Sequence, residues 1–215
     1  MANKPRSYDA TRRRERAEEE RRATQWRVVE AARELFVTRG YVATTVADIA
    51  KEAGVALQSV YNAGGSKAAL MHLVVDLAVA GDDQDVLLAD RPSFAAIGAQ
   101  PTAERQVEVI ATLVAETMQR LAPVWVAYRE AAAVDPTGAA NLEAAHRRRS
   151  ETFATMIGMV DQDRLRMPSE EATDTAWAIG SIDVYLLLRS IRGWDHERYA
   201  QWLTRTLVDE LVDPA

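Results

Sequence analysis

Gln58 and Asn62 stand four residues apart in the stretch LQSVYN, residues 57–62. On a helix that spacing brings both side chains to one face. A carboxamide presents a donor and an acceptor side by side, the pattern that pairs with base edges, adenine N6 and N7 above all. Leu57 can touch a thymine methyl, and the hydroxyls of Ser59 and Tyr61 can donate to phosphates or bases. Val55 and Val60 are apolar and take the inward face of the same register.

Such a reader must be held by its neighbours. Gly54 precedes it and Gly64-Gly65 follow it, so the spacing predicts a short helix over 57–62. Before it, Thr45 with Asp48 three residues later forms a capping-box pattern, and Val46, Ile49, Ala50 and Ala53 give the second helix one buried face. Val28, Val29, Ala31, Ala32, Leu35 and Phe36 make the stripe of a preceding helix that Gly40 ends. Together these read as a helix-turn-helix, whose second helix lies in the major groove. Lys67 follows Ser66 at the start of a fourth helix, to about Ala80. A cation is disfavoured by the dipole there, unless a phosphate binds the free N–H groups and the ammonium together. Thr44 and Thr45 occupy the corresponding place before the second helix and are candidate phosphate contacts.

The stretch VVEAARELFVTRGYVATTVADIAKEAGVALQSVYNAGGSKAALM, residues 28–71, resembles the DNA-binding head of the TetR family of transcriptional regulators. The resemblance rests on Ala31-Ala32, Leu35-Phe36, Gly40-Tyr41, Thr44-Thr45, Ile49-Ala50, Ala53-Gly54-Val55, Tyr61 and Ser66-Lys67. It implies a homodimer, a palindromic DNA operator and release by a small-molecule effector. Two positions depart from the family pattern. Ala56 stands where a capping serine usually opens the reading helix, a loss of about 1 kcal/mol. Gly64 stands where an aromatic ring usually packs the third helix on the fourth. Both departures predict that residues 56–65 are mobile without DNA.

The chain has 215 residues, 48% hydrophobic and 27% charged, with no cysteine, so disulfides, thiolate metal sites and cysteine nucleophiles are excluded. Residues 1–80 carry 13 basic and 10 acidic side chains, and residues 81–215 carry 13 and 22, a basic head on an acidic body. The charged N-terminus lacks the apolar segment of a signal peptide, and the longest apolar stretch, near Val184–Leu188, is too short to cross a bilayer. A cytoplasmic protein that engages no membrane is expected. No serine or lysine is paired with a base in a catalytic pattern, and His72, His146 and His196 lie far apart, so neither an enzyme nor a cofactor or metal site is read.

The fold expected is all-α, of nine to ten helices. Residues 1–22 form a charged arm, a helical extension laced by pairs such as Arg14/Glu18 and Glu18/Arg22. Residues 23–68 form the DNA-binding domain, with helix to about 80 as connector. Residues 81–215 form an effector-binding and dimerisation domain after a break at GDDQD, 81–85, with helices at about 91–98, 102–119, 122–134, 136–160, 168–192 and 195–212. Met118, Trp125, Tyr128, Met156, Trp177 and Tyr185 are candidates to line an effector pocket. Arg129 and Glu130 beside them read either as polar anchors in it or as a surface pair. The aromatics favour an apolar, aromatic or cationic effector, and the acidic body disfavours an acidic one. Residues 177–191 are apolar almost all round and, with Trp202, Leu203 and Leu207, suit a four-helix dimer seam, in which Asp183 needs an arginine partner. These readings converge on a DNA-binding repressor released by an effector. An activator, or a helical binding or scaffold protein whose head no longer binds DNA, is the alternative.

Overall fold

A computed structural model describes residues 6–81 and 91–214. The described residues are helical, with α1 at Arg6–Ala43, α2 at Val46–Ala53, α3 at Leu57–Gly64, α4 at Lys67–Ala80, α5 at Pro92–Gly98, α6 at Ala103–Val134, α7 at Pro136–Gly158, α8 at Ser169–Ile179, α9 at Ile182–Leu186 and α10 at His196–Leu211. Among them there is no β-strand, only an isolated bridge between Leu165 and Val212. No single described helix is long and apolar enough to cross a membrane. The chain groups into two compact units, residues 1–74 with 126–139, and residues 75–125 with 140–215. Residues 126–139, assigned to the body from sequence, thus cluster with the head. The expected break at 81–85 lies almost wholly outside the described residues.

The first unit is built on the stripe read from α1. Val28, Ala32, Leu35 and Phe36 are buried with Ile49 of α2, Val60 of α3, and Leu70 and Met71 of α4. Each such large side chain contributes roughly 1.5–3 kcal/mol by leaving water. From Arg6 onward the charged arm is part of α1, and its residues 1–5 lie outside the described residues. Glu18 pairs with Arg21 at 2.6 Å and with Arg22 at 3.7 Å, so Arg21 takes the place expected of Arg14.

Gly40 sits inside the last turn of α1 with φ 81° and ψ 168°, a region open to glycine almost alone. The turn swings the Tyr41 N–H out of the helical ladder, and it donates instead to Glu130 Oε2 at 2.8 Å. The Glu130 carboxylate thus takes a role not read from the sequence, holding this backbone N–H. A Cβ on Gly40 would lie 2.8 Å from the same oxygen.

The second unit contains most of α6, with α5, α7, α8, α9 and α10. Two sequence-derived boundaries change. The expected gap at 119–122 is absent, because Pro123 sits inside a continuous α6. The expected helix 168–192 breaks at Gly180-Ser181, where the Ser181 side chain accepts from the Val184 N–H and starts α9. After α9 the chain winds one π turn over Leu187–Ile191, closed by the Arg192 N–H donating to the Leu187 carbonyl at 3.1 Å. Asp195 caps α10 as expected, accepting the Arg198 N–H at 2.7 Å. Leu203 and Leu207, expected at a dimer seam, are buried within the single chain. Asp183 is exposed on its helix rather than enclosed by it.

Candidate nucleic-acid interface and effector groove

The capping box of α2 is complete. The Thr45 hydroxyl accepts the Asp48 N–H at 3.1 Å, and Asp48 Oδ2 accepts the Thr45 N–H at 3.0 Å. The Thr45 hydroxyl, which also donates to Asp48 Oδ2 at 2.6 Å, and then the Thr45 N–H hold the Asp48 carboxyl below its ordinary 3.8. Gly54 takes the left-handed turn between α2 and α3. The first turn of α3 has no side-chain cap at Ala56.

On α3, Val60 is fully buried and roots the helix in the core. Leu57 and Tyr61 are nearly half exposed, Gln58 and Asn62 are exposed, and Ser59 is half-buried. The two amides hydrogen-bond, Gln58 Nε2 donating to Asn62 Oδ1 at 3.0 Å. That bond aligns them as a pair and leaves further donors and acceptors on both for a partner. The packing expected to be missing at Gly64 is supplied from α4, because a Cβ on Gly64 would fall 2.1 Å from Leu70 Cδ2.

Thr44 departs from its expected place as a contact. Its side chain is fully buried, and its hydroxyl donates to the Gly40 carbonyl at 2.8 Å and the Leu35 carbonyl at 3.3 Å. It positions the turn and presents no side chain to a ligand, whereas Thr45 is exposed. Lys67 has an intramolecular role absent from the sequence reading. Its ammonium donates to the carbonyls of Tyr41 and Thr44, both at 3.0 Å, and so caps the end of α1. Burial lowers its pKa, and the charge of Asp135 partly offsets this. Tyr41 is in turn tied to Asp135 by its hydroxyl at 3.3 Å. Burial, then the Asp135 charge, pushes the Tyr41 phenol up to about 12.

In the second unit a groove of about 460 Å³ is lined by Gln119, Pro123, Tyr185, Arg189, Ser190 and Trp194 among others. The π turn forms one of its walls, a geometry that recurs at functional sites. Of the seven candidate pocket residues, Tyr185 lines this groove. Met118, Trp125 and Met156 are buried in the core. Tyr128 and Arg129 belong to the first unit, Tyr128 buried and Arg129 exposed.

Trp177 is half-buried and belongs to a second cluster, which centres on a residue missed in the sequence, Arg149. The Arg149 guanidinium lies 4.7 Å from the Phe153 ring and 5.0 Å from the Trp177 ring, and donates to the Trp177 carbonyl. Burial lowers its pKa to about 10. Arg149 sits in the run HRRRS, residues 146–150, which reads as a solvated charge patch. The signal was its register, since Arg149, Phe153, Met156 and Val160 follow one helical stripe. Among the described residues no group of three His, Cys, Asp or Glu side chains could hold a metal.

Residues 28–74 match the family model described as bacterial regulatory proteins, tetR family. No curated protein matches the chain. Its fold is similar to that of a Saccharomonospora viridis protein described as a transcriptional regulator and solved with choline. The two are 19% identical, the match covers 88% of this chain and 98% of that one, and the TM-score is 0.67. It is also similar to NalD of Pseudomonas aeruginosa, the secondary repressor of the MexAB-OprM multidrug efflux pump, at 20% identity over 92% of this chain and all of that one, with a TM-score of 0.59. The SmeT–triclosan complex is similar at 15% identity, 90% and 93% coverage and a TM-score of 0.68. The family model falls on the helix-turn-helix itself, so over residues 28–74 this chain is similar to the bacterial regulatory proteins of the tetR family.

Proposed function

We propose that the chain is a cytoplasmic homodimeric repressor that binds a palindromic DNA operator and leaves it when a small molecule occupies the second unit. The observation that carries this reading is α3 itself. Val60 anchors it while Leu57, Gln58, Tyr61 and Asn62 are presented outward, with Ser59 beside them. Gln58 and Asn62 read base edges, and Leu57 meets a thymine methyl. Ser59, Tyr61, Thr45 and the α4 N-terminus with Lys67 grip phosphates. Two of the three ammonium protons of Lys67 serve the end of α1, and the third serves the backbone of the DNA.

Leu187 and Ile191 are exposed on the π turn, Ile191 at 74%. An apolar pair so placed suits cover by a second copy. Two α3 helices then fit half-sites about 34–36 Å apart. The groove against Tyr185 and Trp194 receives the effector, which acts only through a difference in affinity between DNA-bound and released states. Relatives of the same fold are described with choline and with triclosan, which supports a ligand-binding role for the second unit.

The test is selection of bound sequences from random DNA at two salt concentrations. A palindrome with half-sites about one turn apart, bound more weakly at high salt, is the expected result. Weak binding that ignores both sequence and salt overturns the reading.

A further inference from the structure

Three buried donors meet in the second unit without an acceptor. Arg149 Nε, Trp177 Nε1 and the Tyr199 hydroxyl are each shut from solvent and make no hydrogen bond. They belong to one neighbourhood. Arg149 stacks on the Trp177 ring at 5.0 Å, and Arg149 and Tyr199 feel each other's charge. Among the described residues Arg149 takes part in no ion pair within 4 Å; the charge of Asp183 reaches it without such a contact, and its hydrogen bond goes to the neutral carbonyl of Trp177. A buried guanidinium with spare N–H groups is costly until it meets an anion. Carboxylates suit it best, because two oxygens accept from a planar fork and from a hydroxyl at once.

The groove comes within one ring of these donors. Tyr185 lines it on one side and packs edge-on against Tyr199 on the other, at 4.6 Å between ring centroids. We infer that the effector is an aromatic carboxylate, its ring held against Tyr185 and Trp194 and its carboxylate received by Arg149, Tyr199 and Trp177 as Tyr185 turns aside. The inference rests on the proposed effector role of the second unit and narrows it. The acidic balance of the body does not oppose it. Surface charges are screened within about 8–10 Å, whereas a desolvated guanidinium acts at contact.

The test is calorimetric titration of the full chain with 2-naphthoate, with its neutral analogue 2-naphthamide, and with a naphthylmethyl trimethylammonium cation. Naphthoate is expected to bind roughly tenfold or more tightly than either, the usual margin for a charged over a neutral hydrogen bond. Arg149→Met is expected to bring naphthoate down to the level of the amide. Tyr199→Phe, which keeps the ring, is expected to cost naphthoate a few-fold and the amide nothing. Equal binding of the three probes, no binding by any, or a naphthoate preference that survives Arg149→Met overturns the inference. Where Arg149→Met does not fold, Tyr199→Phe and Trp177→Phe decide, and an unchanged naphthoate-to-naphthamide ratio in both overturns it. The same preparation is titrated with the selected operator. DNA binding without a carboxylate preference removes this inference alone, and a carboxylate preference without DNA binding removes the regulator reading alone.

Discussion

Lys67 acts on Tyr41 twice. Its ammonium donates to the Tyr41 carbonyl at 3.0 Å and lies 4.1 Å from the centroid of the same residue's ring. With the second bond, to Thr44, it closes the end of α1. Lys67→Met keeps the aliphatic stem and deletes the charge. It is expected to lower unfolding stability by about 1–2 kcal/mol, discounted for partial exposure, and to weaken operator binding further. Urea denaturation of the full chain reads the first effect, and an unchanged midpoint would remove the capping role.

Gly40→Ala tests the turn that frees the Tyr41 N–H. Backbone strain there is of order 1–3 kcal/mol for a residue with a Cβ, and the new methyl meets the Glu130 carboxylate. The thermal midpoint should fall. Combined with Glu130→Gln the loss should be clearly non-additive, because the two residues share one contact. Strict additivity would mean that Glu130 does not hold the turn.

Tyr41 should give the head an alkaline limit. Its folded pKa, near 12, lies above its ordinary value of 10. The unfolded chain therefore releases this proton first. The contribution to stability is complete below pH 10 and is lost as pH rises from 10 toward 12. Tyr199 is raised too, again by burial, so the comparison must be between variant and wild type. Tyr41→Phe is expected to flatten the fall in denaturation midpoint between pH 9.5 and about 11.5. A parallel fall in both proteins would show that Tyr41 does not titrate there.

Gln58→Ala and Asn62→Ala separate reading from gripping. Each is expected to cost about 1–3 kcal/mol of operator affinity and to relax specificity at one position of each half-site, with the salt slope unchanged. Neither should move the thermal midpoint much, since both side chains are exposed. Anisotropy titrations against the selected operator and its single-base variants measure this. Uniform weakening across all variants would assign the two amides to the backbone instead.

The head was legible because its elements are local. A capping box, a left-handed glycine and a stripe on α1 each act within a few residues, and each folded as read. Tyr41 was not legible in its main role, because Glu130 and Asp135 reach it from some ninety residues away. Thr44 was misread for a different reason: it and its exposed neighbour Thr45 are the same residue type, and the turn at Gly40 folds only the first inward, onto the Gly40 and Leu35 carbonyls. In the body, aromatic and methionine type chose most of the pocket candidates, and type cannot tell a core side chain from a lining one. Arg149 was hidden by flanking arginines that do face solvent.

The close approach of Leu70 to Gly64 binds two positions into one allotment of space. Leu70 occupies the space where a side chain at 64 would stand, so the leucine must swing aside before position 64 can carry one. Gly64→Ala is thus expected to be tolerated only as far as Leu70 can repack, and Leu70→Ala to leave a hollow beneath α3.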